Sequence, residues 1–525
     1  MKHKVILIGV DAANRYLIDD WARQGILPTW QSLFQRGVRG RTTSLPGVYT
    51  GATWPSFQTG VNPAKSGVYS WMQVKPGSYE PYRCLAGAEL KREPFWNHLS
   101  RAGRKVAVLD MPLASLTSDL NGVQLVEWGT HDTQFGFVSW PPSLAREVES
   151  RFGRHPLGTI CNADRSTDDF IVFREQLLAG VRAKTRLTRH FLQGGDWDFF
   201  GQVFSESHCV GHQCWHLHDP GHPRHDVEQA RRVGDPIKDV YVAIDAAIGE
   251  ILKDVDADAT VIVLASHGMG YKYGPQILLD QILLRLGVAA PAVRKPTSQA
   301  MKPRRRDRFD PLLTRGWQSL PHPLRALLQP IRNPVRAWMM PEDKPREPII
   351  DPAGGKCFVV ENNHAHGGIR VNLEGREPQG KVARGPELDE FCADLARDLM
   401  EIVDLDTGRK VVSRVLRTDE LYKGEYRDYL PDLLVEWSSD RPISRVRLGS
   451  EKIGELEGEY RFCRTGDHFS GGMFVAAGPG IRPGTLERTV SIMDFAPTFA
   501  QLLDVDLPDV DGKPILEISA SRAYA

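Results

Sequence analysis

The chain lacks net charge, a membrane-length apolar run and a regular cysteine pattern. Its 525 residues hold 66 Lys and Arg against 66 Asp and Glu, so charge gives no reason to expect a nucleic acid partner. No apolar run approaches the roughly 18 residues that span a membrane. The seven cysteines follow no disulfide framework. We interpret them as reduced thiols and expect a cytoplasmic protein.

Apolar segments alternate with helical ones along most of the chain. The first, residues 5–10, is too short for a secretory signal and ends at Asp11 without a small-residue cleavage site. We interpret it as a buried strand. Further strands are predicted at residues 105–111, 197–204, 260–266, 432–437 and 473–478. Helices are predicted at residues 89–103, 168–192, 239–255 and 387–403. This alternation predicts an α/β fold with a doubly wound, mostly parallel sheet covered by helices on both faces.

Residues 290–350 depart from this pattern. They are rich in proline, and five basic residues cluster between Lys302 and Arg308. One interpretation is a solvated insertion or cap beside the site, and the other is a basic surface for anionic lipid or polymer. We therefore predict a main domain of residues 1–280 and 356–525, with an inserted region at 281–355.

Polar residues follow several of the predicted strands. Asp11 ends the first strand, and His267 follows the strand at 260–266. Ligands bind at this edge of an open α/β sheet. Thr53 is a second kind of candidate, because a threonine hydroxyl becomes a nucleophile when a metal lowers its pKa. At the start of a helix it would also face anion-binding N–H groups. The alternative is a capping threonine, with Pro55 opening a helix.

Longer motifs surround these residues. Residues 53–67 read TWPSFQTGVNPAKSG and residues 205–215 read SESHCVGHQCW. Other motifs are at residues 4–12, 260–271, 368–380, 429–437, 464–482 and 491–508. Together they resemble the type I phosphodiesterase / nucleotide pyrophosphatase family of the alkaline phosphatase superfamily. The resemblance covers residues 4–280 and 356–516. It implies an alkaline-phosphatase-like fold, two metal ions and hydrolysis of a phosphate ester through a covalent intermediate on Thr53.

The resemblance also implies which residues hold the metals. Carried over position by position, the ligands are Asp11, Thr53, Ser266 and His267 for one ion, and His208, His212 and His468 for the other. Ser266 and His208 each replace an aspartate of the family pattern. A neutral serine binds a hard cation weakly, whereas three imidazoles suit a catalytic zinc. We expect one or two divalent ions, with zinc as the first choice and manganese as the alternative.

These replacements leave several outcomes open. The chain could keep two metals, work with the three-histidine metal alone, or have lost hydrolysis. Glu206 or a later histidine could supply the missing ligand. The predicted function is metal-dependent hydrolysis of phosphate esters of the phosphodiesterase type. The alternatives are a sulfate or phosphonate ester hydrolase, and a transferase or non-hydrolytic protein that assembles a cell-surface polymer or lipid.

Four residues are candidates for substrate binding. Ser56 stands where nucleotide-cleaving members commonly have an asparagine that helps to hold the phosphate, which argues against nucleotide pyrophosphatase activity. Asn363, His364 and His366 precede the motif at 368–380, and they either reach the substrate or form a turn. We expect a small-molecule or lipid-linked phosphate ester as substrate, with residues 290–350 as a possible peripheral membrane contact.

Overall fold

A computed structural model describes most of the chain, namely residues 3–131, 133–158, 162–272, 274–292, 349–363, 365–438, 445–460 and 462–519. Most of the predicted insertion lies outside these ranges, as does His364. The domain boundaries and the membrane contact through residues 290–350 therefore stay predictions.

The elements within these ranges are as follows. The strands are β1 (Val5–Val10), β2 (Val38–Thr43), β3 (Met72–Val74), β4 (Pro81–Arg83), β5 (Val106–Leu109), β6 (Gly122–Val126), β7 (Val138–Trp140), β8 (Phe199–Phe204), β9 (Thr260–Ala265), β10 (Gly268–Tyr271), β11 (Ala290–Pro291), β12 (Ile350–Asp351), β13 (Cys357–Val360), β14 (Gly367–Val371), β15 (Val403–Asp404), β16 (Val412–Arg417), β17 (Leu433–Trp437), β18 (Arg445–Ser450), β19 (Gly454–Glu459), β20 (Gly466–Phe469), β21 (Gly471–Ala477) and β22 (Gly484–Ser491). The α-helices are α1 (Arg15–Arg23), α2 (Pro28–Arg36), α3 (Tyr49–Thr59), α4 (Pro63–Ser66), α5 (Ala86–Glu89), α6 (Phe95–Arg101), α7 (Leu144–Phe152), α8 (Thr167–Gln193), α9 (Glu206–His218), α10 (Val227–Val233), α11 (Pro236–Leu252), α12 (Leu279–Arg285), α13 (Pro386–Met400), α14 (Thr418–Leu421), α15 (Phe495–Leu502) and α16 (Leu516–Ser519). Short 3₁₀ turns lie at Pro275–Leu278, Arg427–Tyr429 and Ile492–Asp494.

The largest sheet has nine strands in the order β22-β2-β21-β9-β1-β8-β5-β6-β7. Strands β9, β1, β8, β5 and β6 are mutually parallel. Strands β7 and β21 run antiparallel to their neighbours, and β2 and β22 again share the direction of the central strands. The sheet is therefore mostly parallel, as predicted.

Both faces of this sheet are covered by helices. Along β1, Ile6, Ile8 and Val10 point into a core formed with α1, α2, α8, α9 and α11. Val5 and Leu7 point into a second core formed with α3, α6 and α15. Because both faces are buried, the strand is apolar at every position, which is why its sequence shows no polar alternation. The predicted doubly wound arrangement is confirmed.

A separate set of antiparallel strands lies between β10 and β20 in the sequence. Strands β13, β14, β17 and β16 form one sheet and β15, β18 and β19 form another, with a shared apolar core that includes α12 and α13. The strand predicted at 432–437 exists as β17, but it pairs with β14 and β16 rather than in the main sheet. An apolar run does not specify its sheet, because pairing is decided by tertiary contacts. No helix in the described ranges combines the length and apolarity needed to cross a membrane.

The topology brings several chain segments to one edge of the main sheet. Strands β1, β8 and β9 all end there because they are parallel. Strand β21 is antiparallel to β9 and so begins at the same edge. The preceding strand β20 pairs with β10, which places His468 opposite Met269. The polar residues at these strand ends consequently meet at one place.

Candidate active site

Seven side chains form a closed cluster at this edge of the sheet. Their successive contacts are Asp11–Ser266 (Oδ1 to Oγ, 3.4 Å), Ser266–His267 (Oγ to Nδ1, 2.9 Å), His267–His468 (ring centroids, 4.6 Å), His468–His212 (Nε2 to Nε2, 3.0 Å), His212–His208 (ring centroids, 4.5 Å), His208–His131 (ring centroids, 3.6 Å) and His131–Asp11 (Nε2 to Oδ2, 3.9 Å). Six of these residues are the predicted metal ligands other than Thr53. The seventh, His131, is not indicated by the motifs.

Helix α9 carries two of the histidines. His208 and His212 are one turn apart and therefore lie on the same face of the helix. The Nδ1 of His212 lies 2.8 Å from the carbonyl oxygen of Gly466. A carbonyl only accepts hydrogen bonds, so Nδ1 carries the proton and the lone pair of Nε2 faces His468. A hydrogen bond of this kind orients a metal-binding histidine and fixes its tautomer.

Burial favours the neutral form of His208, His212, His267 and His468. It lowers the pKa values of His208, His212 and His468 well below 6.5, and it also lowers the pKa of His267. Desolvation disfavours the charged imidazolium, and the neighbouring rings act in the same direction. Neutral imidazole is the form that binds metal ions.

The donors of this cluster fit a divalent metal. Among the described residues, the Nδ1 of His208, the Nε2 of His267 and the Nδ1 of His468 are buried without a hydrogen-bond partner. Buried polar atoms normally have partners, so three such atoms in one cluster need an explanation. One ligand atom from each of His208, His212 and His468 lies within 4.8 Å of the others. Imidazole donors in this arrangement suit zinc and similar ions.

Asp11 is held at the end of β1 by the helices on either side. Its Oδ1 accepts a hydrogen bond of 2.8 Å from the indole Nε1 of Trp54. Its backbone carbonyl accepts one of 2.6 Å from the hydroxyl of Ser207 on α9. The carboxylate therefore has a fixed orientation, with Oδ2 towards His131.

Thr53 lies inside α3 rather than at its start. The helix begins at Tyr49, and the Thr53 hydroxyl donates to the carbonyl of Tyr49 one turn earlier. The alternative of a capping threonine followed by an opening proline is therefore wrong, and so is the expectation that Thr53 faces the N–H groups of a helix N-terminus. Local proline preference is overridden because Ala52 and Trp54 are buried in the core as part of the helix.

Ser44 is a site residue that sequence reasoning missed. Its hydroxyl contacts the hydroxyl of Thr53, and both residues are almost completely buried. Because Thr53 has one proton and gives it to the Tyr49 carbonyl, Ser44 donates to Thr53. Ser44 follows β2 at the same sheet edge. It directly follows two threonines in a strand with polar alternation, so the sequence gives no signal that distinguishes it from them.

Two of the candidate substrate residues, Asn363 and Ser56, show no contact with the seven-residue cluster. Asn363 is structural: its side chain accepts from the N–H of Trp71 at 3.4 Å and donates to the carbonyl of Tyr69 at 3.2 Å. Ser56 is fully buried, and its hydroxyl has no partner in the described part of the chain. Neither has a contact with the seven-residue cluster among those observed.

His366 lies beside the cluster. Its ring meets the ring of Tyr49 edge-on with centroids 4.2 Å apart, and the Tyr49 hydroxyl donates to the carbonyl of His468 at 3.1 Å. Burial lowers the pKa of His366 to about 4. Both ring nitrogens lack a hydrogen-bond partner among the described residues, so they are available to a bound molecule.

Glu206 does not face the cluster, although it opens the helix that carries His208. Its Oε1 lies 3.0 Å from the Nε2 of His155, and its Oε2 lies 4.0 Å from the Nζ of Lys184. The carboxylate is fully buried in this separate charged group. It therefore does not supply the ligand that the two replaced aspartates would have given.

A family comparison agrees with these motifs. The model of the type I phosphodiesterase / nucleotide pyrophosphatase family matches residues 5–311. The chain belongs to this family. As a member of this family it is a phosphoric ester hydrolase. A search of the curated proteins found no match to the chain.

Several solved structures align with nearly the whole chain. The wild-type alkaline phosphatase PafA aligns with a TM-score of 0.51 at 13% identity, covering 99% of each chain. Phosphonoacetate hydrolase from Sinorhizobium meliloti 1021 aligns at 0.49 and 15% identity, covering 96% of each chain. Murine ectonucleotide pyrophosphatase / phosphodiesterase 5 aligns at 0.48 and 11% identity, covering 97% of this family member and 98% of the murine protein. The alignment with PafA shows that the fold is alkaline-phosphatase-like, as predicted.

Proposed function

We propose that the protein hydrolyses a phosphate ester by a metal-dependent attack of Thr53 on phosphorus. The observation that carries the proposal is the closed cluster of Asp11, Ser266 and five histidines at the sheet edge, in a chain of this family. Trp54, the residue after Thr53, donates directly to Asp11. Helix α3, which carries Thr53, is thus tied to the predicted metal ligand Asp11 by the neighbouring side chain.

Two ligand sets are available for divalent ions. Asp11, His267 and neutral Ser266 form one, and the three histidines 208, 212 and 468 form the other. A bound divalent ion lowers the pKa of a hydroxyl and polarises the phosphoryl oxygens. We propose zinc, because most of the donors are imidazoles.

The chain's own residues then define the reaction. The Thr53 hydroxyl gives its proton to water as its oxygen forms a bond to phosphorus and the bond from phosphorus to the leaving oxygen breaks. The leaving oxygen takes a proton from water. Before attack, the Thr53 hydroxyl turns away from the Tyr49 carbonyl, whose lone pairs repel a developing alkoxide. Ser44 remains as a donor to that alkoxide. Water then cleaves the phospho-threonine bond and restores Thr53.

The charge of the cluster favours a second candidate, hydrolysis of a phosphonate or phosphate monoester. Asp11 is the only carboxylate among the seven residues, because Ser266 is neutral. Asp467, next to His468, is paired with Lys272. With divalent ions bound, the cluster would carry a net positive charge, which stabilises a doubly charged substrate more than a singly charged diester. A panel of aryl phosphate monoesters, diesters, phosphonates and sulfates measures this preference.

Replacement of Thr53 tests the nucleophile. We expect Thr53→Ala to abolish turnover of every ester in the panel, and Thr53→Ser to retain part of it. Thr59→Ala is the matched control, because Thr59 is buried in the same helix and its hydroxyl makes the same bond one turn back, 2.8 Å to the carbonyl of Pro55. Full activity in Thr53→Ala would rule out the covalent mechanism.

The natural ester is either a small molecule or lipid-linked, and the proposed lipid contact is testable separately. Strands β11 and β12 pair at Ala290 and Asp351, so the chain enters and leaves the basic segment at adjacent points. Replacing residues 293–348 by a short Gly-Ser linker should therefore leave the fold intact. Equal sedimentation of both proteins with anionic vesicles would exclude this contact.

A further inference from the structure

His131 is the one member of the cluster that no motif indicates. It follows β6, and its side chain is 12% exposed. Its Nε2 lies 3.9 Å from the Oδ2 of Asp11, the oxygen that Trp54 leaves unbonded. A ligand atom lies about 2.1 Å from the zinc that it binds. Two ligand atoms on one zinc are therefore roughly 3.4 Å apart in tetrahedral geometry, and at most about 4.2 Å apart when they lie on opposite sides of the ion. The observed distance lies within that limit, so these two atoms can share an ion.

Two buried charged side chains hold the backbone just before His131 through hydrogen bonds. The N–H of Trp128 donates to the Oδ1 of Asp110 at 2.8 Å. The carbonyl of Gly129 accepts from the Nζ of Lys184 at 3.0 Å. Both charged side chains are almost fully buried and lie 3.5 Å apart. Buried ionic groups of this kind have a strong preference for one geometry, because breaking one pair leaves an uncompensated charge.

The same loop is also closed on itself. The carboxylate of Glu127 accepts from the backbone N–H groups of Gln134, Phe135 and Gly136 at 2.6–2.8 Å. At Gly129, an added Cβ would lie 2.7 Å from the ring of His155 and 3.0 Å from Asp110. The loop therefore sits close against the buried charges. His131 is held towards Asp11 before any ion binds, and a pre-organised ligand has less conformational entropy to lose.

Stacking assigns His131 to the Asp11 ion rather than to the three-histidine ion. The rings of His131 and His208 are 3.6 Å apart and inclined by only 13°. An imidazole nitrogen binds a metal in the plane of its ring. Two nearly parallel planes do not converge on one ion within bonding distance, although ligand atoms of these residues and of Cys209 lie within 4.8 Å of one another. His131 and His208 therefore serve different ions.

We propose that His131 is a ligand of the metal held by Asp11 and His267, where it supplies the strong donor that Ser266 lacks. This inference rests on the proposed function for the presence of that metal, but not on turnover. The first site would then combine one carboxylate with two imidazoles, and the second would contain three imidazoles. Such donors favour zinc over magnesium or calcium at both positions.

Metal content and affinity test the assignment without an activity measurement. We expect two zinc ions per wild-type chain by elemental analysis. In His131→Ala the three-histidine ion should remain, while affinity for the other falls by more than the 10–100-fold typical of losing an outer-sphere partner, as measured by competition with a chelator. Free imidazole should restore part of the affinity. His98→Ala is the matched control, because His98 is a partly buried histidine on α6 that pairs with Glu93, outside the seven-residue cluster.

The outcomes separate this inference from the proposed function. Two ions bound with unchanged affinity in His131→Ala would show that the contact with Asp11 is a simple ion pair and would overturn the inference, as would fewer than two ions in the wild type. Weakened binding in both His131→Ala and His131→Gln, with circular dichroism like that of the wild type, supports it. If wild type binds two ions, His131→Ala weakens one of them and wild type hydrolyses no ester, the ligand assignment stands while the proposed function fails.

Discussion

The Nδ1 of His212 donates a hydrogen bond of 2.8 Å to the carbonyl of Gly466, which joins α9 to β20 across the candidate site. This bond decides which nitrogen of His212 is available to a metal. It also depends on close packing, because an added Cβ at Gly466 would lie 2.1 Å from the carbonyl oxygen of Gly211. The geometry of the histidine cluster therefore depends on a residue without a side chain.

We expect Gly466→Ala to lower the free energy of unfolding by about 1–3 kcal/mol, the usual effect of overpacking. Separation of β20 from α9 should also weaken zinc binding. Gly484→Ala is the matched control, since a Cβ there meets no atom within 4 Å. Urea unfolding and zinc titration of both variants measure the effect. Equal stability of the two variants would contradict the packing argument.

Ser44→Ala tests the hydroxyl that donates to Thr53. Loss of a hydrogen bond to a charged group weakens its stabilisation by about 1.5–3 kcal/mol, which corresponds to roughly a 10- to 150-fold lower kcat. KM should change little, because the interaction strengthens only as the alkoxide forms. A change confined to KM would instead indicate that Ser44 binds the substrate.

Ser266→Asp should destabilise the metal-free protein and increase the stabilisation that zinc provides. The Ser266 hydroxyl lies 3.4 Å from the Oδ1 of Asp11, so a second carboxylate there repels the first in the metal-free protein. With zinc bound, the same carboxylate is a charged ligand. Thermal melting should therefore show a lower Tm than wild type without zinc and a larger increase on adding zinc. Ser266→Asn, of similar size but neutral, should show neither effect.

Stability should fall as the pH decreases from about 6.5 to 4. Burial lowers the pKa values of His216 and His366 to about 4, so below pH 6.5 the unfolded chain binds more protons than the folded one. The free energy of unfolding then decreases until the folded-state pKa is reached, by roughly 1.6 kcal/mol per histidine between pH 6.5 and 5. In His216→Gln, which can still bond to Thr465 and Gln229, urea unfolding should show a smaller decrease. A decrease equal to that of wild type would contradict this origin.

The amino-acid sequence predicted much of the main sheet and most residues of the candidate site. Unbroken apolar runs such as residues 5–10 predict strands buried on both faces, and Asp11 and His267 were recognisable because each directly follows such a strand. Parallel strands end at one edge, so their terminal residues meet whatever the details of packing. The spacing of His208 and His212 likewise predicted that they share a helix face, since that relationship is local.

Only the tertiary structure decided the remainder. The partner sheet of β17, the position of Thr53 within α3, and the places of Ser44 and His131 depend on contacts between segments distant in sequence. The tautomer of His212 depends on Gly466, 254 residues away. The His131 loop is fixed by Asp110 and Lys184, whose charges are buried only when the sheet and α8 have packed. Periodicity and motif spacing report local geometry, whereas these relationships arise from which surfaces pack together.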